Sequence, residues 1–96
     1  MSTLKAILTK SINPKYKYTV IVNGKKINFG AAGYSDYTKH HDPMRKKQYI
    51  ARHEAREDWT NPYTAGFWSR WLLWNLPTLQ QSINDINFRF DIDFIH

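Results

Sequence analysis

The sequence predicts an α+β fold. Three observations lead there: an Asn-Gly turn between two β-forming runs, capped helical stretches after it, and a tail whose apolar residues alternate with charges. The 96 residues suffice for one hydrophobic core and not for two ordinary domains, so residues 1–96 read as a single domain. Residues 1–14 form a basic segment closed by the turn signal Asn13-Pro14. Leu4, Ile7 and Leu8 suit one turn of helix or a short strand, and this arm is left undecided, its order included.

Tyr16 to Val22 alternates Tyr18, Val20 and Val22 against Lys17, Thr19 and Ile21, and Lys25 to Phe29 follows Asn23-Gly24. Asn-Gly supplies the two positive φ angles of a type I′ turn, so a β-hairpin is expected over about 16–29. Gly30-Ala31-Ala32-Gly33 then forms a glycine loop that lets the backbone approach another surface closely. It matches neither a P-loop nor G-x-G-x-x-G, which favours a connector over a phosphate cradle.

Asp42-Pro43 opens the first firm helix, as N-cap and first helical residue, and the pattern runs to near Trp59. Met44, Ala51 and Ala55 make a small-residue stripe on which it is expected to pack. After Asn61-Pro62, Thr64 caps a second helix through Trp74, apolar nearly all round and therefore central. Leu76-Pro77 stops it. Thr78 and Gln81 then spell a capping box for a third helix with Leu79, Ile83 and Ile86 on one face. Phe88, Phe90, Ile92 and Phe94 alternate with Arg89, Asp91 and Asp93, a strand expected to complete a small antiparallel sheet beside the hairpin. Such a terminal strand could instead pair with a second copy.

Charge is segregated. Residues 1–58 hold 12 Lys/Arg against 5 Asp/Glu, a net +7, whereas residues 59–96 are at −1. That asymmetry points to a polyanionic partner. Apolar content of 42% with 16% aromatic residues argues for a folded domain rather than a basic tail. With no cysteine there is no disulfide or thiolate site. No run approaches the roughly 18 apolar residues of a membrane span, and Met1 to Lys5 lacks a secretory h-region, so an intracellular protein without membrane contact is expected.

Two groups of cations could meet phosphates. Arg45, Arg52 and Arg56 fall within about 40° on the first helix and rise along about 16 Å of it. Their planar forks suit phosphate contacts. Internal pairing with Glu54, Glu57, Asp58, Asp91 or Asp93 is the competing expectation. Lys5, Lys10, Lys15, Lys17, Lys25 and Lys26 lie on the arm and hairpin, where they could follow a backbone or simply guard sheet edges. Lys39 and Lys46 extend the basic surface, and Tyr34 and Tyr37 are the candidates for stacking against a base. Trp59, Trp68, Trp71 and Trp74 read as core. His40, His41, Asp42 and His53 lack metal-ligand spacing and read as structural. No cofactor, metal or catalytic residue is expected.

The blocks Phe29-Gly30-Ala31-Ala32-Gly33-Tyr34-Ser35-Asp36-Tyr37-Thr38, His41-Asp42-Pro43, Tyr49-Ile50-Ala51-Arg52-His53, Trp59 and Thr64 to Trp74 occur in order at sensible spacing. Together they resemble a small basic protein family of nucleocytoplasmic large DNA viruses, giant and algal, over about residues 16–90. The resemblance implies a viral origin, residence in the virion or in a factory in the host cytoplasm or nucleus, and a part in genome packaging. It supplies no site residues, and the tail Phe90 to His96 lies outside it. The expected function is a non-enzymatic, largely sequence-independent contact with double-stranded DNA that condenses a viral genome. The alternative is a capsid or core cement that joins other proteins, or its own copies, through the C-terminal strand.

Overall fold

The computed structural model describes residues 4–95. Four strands, β1 (Leu4–Lys10), β2 (Tyr16–Val22), β3 (Lys25–Ala31) and β4 (Ile92–Phe94), form one sheet in the order β3-β2-β1-β4. The fold is α+β, as the sequence predicts. Asn23 and Gly24 turn the hairpin at φ 47° and 85°, both left-handed as a type I′ turn requires. The undecided arm is strand β1. Its residues 4–10 lie in the sheet interior, antiparallel to β2 and parallel to β4. The sheet is therefore mixed, and the tail strand joins the arm rather than the hairpin. Leu4, Ala6 and Leu8 meet Ile92, Phe94, Val22 and Val20 in this register, and all belong to or pack on the core.

The helices are α1 (Tyr37–His40), α2 (Pro43–His53), α3 (Ala65–Trp68) and α4 (Leu79–Phe90), with a π-helical turn over Ser69–Leu73 continuing α3. Each starts at a side-chain cap. Asp36, Asp42 and Thr64 accept from backbone N–H groups of the first turns, and Thr78 with Gln81 closes the capping box read from the sequence. Phe67, Trp68, Leu72, Leu73 and Ile86 fill the core beneath the sheet.

Two boundaries differ from expectation. Helix α4 runs to Phe90, because Leu79, Ile83, Ile86 and Phe90 continue one helical face, and Phe90 fits both periods. Phe88 is left 90% exposed on that helix. Asp91 then ends it in the left-handed conformation (φ 57°), and Asn87 Nδ2 donates to Ile92 O and Asp93 Oδ1, which turns the chain into β4. Helix α2 ends at His53 rather than near Trp59. The Glu57 carboxylate turns back to accept from Trp59 Nε1 and to meet His53 Nδ1, holding a compact turn after it.

The packing side of α2 is also different. Met44, Ala51 and Ala55 are exposed. The stripe that docks is Lys46, Tyr49, Ile50 and His53, of which Tyr49 is buried. It docks by ring stacking. Tyr49 lies parallel to Trp74 (4.5 Å, 3°), and His53 stacks on Tyr49 (4.3 Å). Polar residues with apolar bodies thus do what the small-residue stripe was expected to do.

Candidate functional site

A cleft of about 650 Å³ opens between the glycine loop and α2, with α3 and the π-helical turn as its floor. One wall is Arg45, Gln48 and Arg52; the other is Ala31, Tyr34 and Ser35. Gly66, Ser69 and Leu73 lie beneath. The local backbone is specialised. Gly30 and Gly33 adopt φ 77° and 88°, and a Cβ on Gly30 would stand 2.8 Å from Leu73 Cδ1. The loop can lie this close to the floor only because that carbon is missing. The π turn beneath is closed by the Trp74 N–H to Ser69 O bond, and the Trp74 ring that follows it stacks on Tyr49.

Ion pairs inside the cleft divide its cations. Lys17 Nζ donates to Asp36 at 2.6 Å; their side chains are 12% and 2% exposed. Asp36 also accepts from Thr38 N–H and the Thr38 hydroxyl. Lys17 is therefore a structural cation that holds the glycine loop to β2, and the expected phosphate contact is corrected. Lys46 is committed as well. Its ammonium donates to Asn75 O and sits 5.0 Å from the Tyr37 ring. Burial, with Arg70 nearby, lowers its pKa. Tyr37 is half-buried beneath it and meets His40 and His41 edge-on, so it is a packing ring rather than an open stacking platform.

Arg45, Arg52 and Arg56 are exposed, and no ion pair among the described residues includes them. Two carboxylates expected to neutralise them are engaged elsewhere: Asp93 with Lys5 at 2.9 Å, and Glu57 with His53 and Trp59. Arg45 and Arg52 line the cleft; Arg56 lies beyond it. Tyr34 stands at the rim, 73% exposed.

The lysines fall into two sets. Lys10 and Lys39 line a shallow groove that shares Lys17 and Asp36 with the cleft, and Lys15 O accepts from Ala32 N–H of the glycine loop. Lys25 and Lys26 start β3, whose other end is Ala31 beside the cleft, so they sit at the far end of the sheet. Lys25 lies over the Tyr63 ring there, and Lys5 joins this end through its N–H to Asn23 Oδ1. The structure thus places Tyr34, Arg45 and Arg52 on one cleft, Lys10 and Lys39 in the adjoining groove and Lys15 beside the glycine loop, and leaves Lys5, Lys25 and Lys26 apart.

Residues 6–53 match a family of unknown function (DUF5754). The chain belongs to that family. The matched span runs from β1 through α2, so both walls of the cleft fall inside it while its floor lies outside. Neither a curated protein nor a solved structure matches the chain.

Sequence reasoning missed Gln48, His53, Ser69 and Leu73 as cleft residues. Only the Arg45/Arg52 spacing, with Gln48 between on the same helix, carried a signal. Arg70 was missed too. It lies 4.3 Å from the Trp71 ring and 5.3 Å from that of Trp59, and burial depresses its pKa. Trp68 is fully buried, while Trp59, Trp71 and Trp74 are half-buried partners of these cations and rings. Among the described residues no His, Asp and Glu side chains cluster as a metal site, and no helix is long and apolar enough to cross a membrane.

Proposed function

We propose that the protein binds DNA without catalysis and largely without sequence preference, through the exposed cations around the cleft. The observation that carries this reading is that Arg45 and Arg52 stand exposed on one helix face with no carboxylate partner among the described residues. Arginine forks that are not internally satisfied are what phosphate recognition needs. Lys10 and Lys39, in the groove that shares Lys17 and Asp36 with the cleft, and Lys15, bonded to the glycine loop, would widen the footprint. With the resemblance to proteins of large DNA viruses, the reading extends to condensing or packaging a viral genome in the virion or factory.

If all five of these cations engage phosphates, log affinity for duplex DNA falls against log salt with a slope of about −4 to −5. Fluorescence anisotropy of a labelled blunt duplex across a salt series measures it. Arg52→Glu should weaken binding and flatten the slope by about 1 to 2. Affinity indifferent to salt, or unchanged in Arg52→Glu, rejects the reading. The cement alternative has less support, since β4 is already hydrogen-bonded to β1 of its own chain and offers a partner only its outer edge.

A further inference from the structure

The cleft is far larger than a lone phosphate requires, and its walls are not those of a simple electrostatic groove. Its volume of about 650 Å³ falls within the range of small-ligand sites. The lining carries three cations, Lys17, Arg45 and Arg52, against the two carboxylates Asp36 and Glu57. Lys17 and Asp36 satisfy each other, and Glu57 keeps its negative charge while held by Trp59 and His53, so the lining as a whole is left with a net +1 and its unpaired cations are the two arginines. Seven residues apart, they are about 10 Å apart along the helix axis, and their long side chains can reach one anion from two sides or two successive ones.

The floor is apolar at Ala65 and Leu73, with Tyr49 and Trp74 beside it, and Ala31 and the exposed Tyr34 add apolar surface on the opposite wall. Gln48, Ser35 and Ser69 add an amide and two hydroxyls whose side chains make no hydrogen bond among the described residues. An anionic group at the arginines, a flat apolar body below and uncommitted donors and acceptors at the sides describe one chemical class. We infer that the cleft takes a single nucleotide, its phosphate on Arg45 and Arg52 and its base against the apolar floor. This rests on the reading of those arginines as phosphate ligands and adds a discrete pocket to it. The nucleotide can be free, or it can be an unpaired unit of a DNA strand drawn out of its stack.

Calorimetric titration with deoxyadenosine monophosphate, inorganic phosphate and deoxyadenosine tests the pocket. The nucleotide should bind at least about tenfold more tightly than either fragment, because only it uses both halves of the site. Two charge-neutral fillings, Ala65→Trp on the floor and Gln48→Trp on the α2 wall, should each lower nucleotide affinity by a much larger factor than blunt-duplex affinity. If one filling unfolds the protein, the other stands in for it. A duplex with a short 3′ overhang identifies the source. Tighter binding than the blunt duplex, lost on filling, points to a strand nucleotide; nucleotide binding with no overhang gain points to a free one. Nucleotide binding no tighter than that of phosphate, or insensitive to both fillings, overturns the inference. Salt-dependent duplex binding without nucleotide binding sinks the pocket alone, whereas absence of both sinks the DNA reading as well.

Discussion

Replacing Gly30 by alanine would put a Cβ 2.8 Å from Leu73 Cδ1 while forcing φ 77° on a residue that disfavours it. The two penalties reinforce each other, and denaturant unfolding of Gly30→Ala should show a loss of about 2–4 kcal/mol. Gly33 has only the positive φ, with open space around it, so Gly33→Ala should cost about 1 kcal/mol. Equal losses at the two sites would mean that the loop does not press on Leu73. His40 offers a test of a different kind. Asp42 N–H donates to its Nδ1, which places the proton on Nε2, and Nε2 is buried without a partner. Burial first, then the neighbouring Arg45, lower its pKa from 6.5. The unfolded chain therefore binds this proton more readily than the folded one. Stability is full above about 6.5 and falls as pH drops below it toward the folded value. Asp93, held below its usual range by the hydrogen bond and charge of Lys5, loses its contribution only in more acid solution. Melting temperature should fall between pH 7 and pH 5, and less so in His40→Asn, whose Oδ1 can accept the same bond. Identical slopes in both proteins would exclude His40 as the cause.

At the scale of elements, the junction of α4 and β4 separates two readings of one stretch of sequence. Alternation makes Phe88 and Phe90 equivalent, whereas the helix exposes the first and sets the second 4.9 Å from Phe67 and 5.2 Å from Trp71. Phe88→Ser should change stability by no more than about 0.5 kcal/mol, and Phe90→Ser should cost about 2–3 kcal/mol. Similar losses would restore the strand reading. Hairpin, caps and capping box were legible because each depends on neighbours within three residues: Asn23-Gly24, Asp42-Pro43, Thr78 with Gln81. The docking stripe of α2 was not, because the groups that hold Lys46 and Tyr49, Asn75 and Trp74, lie 29 and 25 positions further along the chain. Lys17 was misjudged for the same reason. Its partner Asp36 lies 19 residues on, and nothing in the alternation of β2 marks it as paired.

For the whole molecule, one face of the sheet carries the helices and the core, while Lys5, Ile7, Thr9 and Lys26 look outward from the other and are largely exposed. The site needs elements from both halves of the chain. The walls come from β3, its loop and α2; the floor comes from α3 and the π turn. The segregated charge visible in the sequence thus corresponds to walls, and the neutral half to the floor and the core beneath it. Arg45 and Arg52 were legible as a pair, but a pocket was not, since its depth depends on Gly30 meeting Leu73 across 43 residues.

Strand order also has a consequence in time. β1 is synthesised before the rest of this sheet, and one of its two neighbours, β4, lies 88 residues later at the Lys5–Asp93 contact. Until that segment leaves the ribosome, β1 presents an open row of N–H and C=O groups while β2 and β3 are already paired. A nascent chain stalled before Ile92 should remain protease-sensitive and prone to self-association, and release of the last strand should abolish both within one folding event.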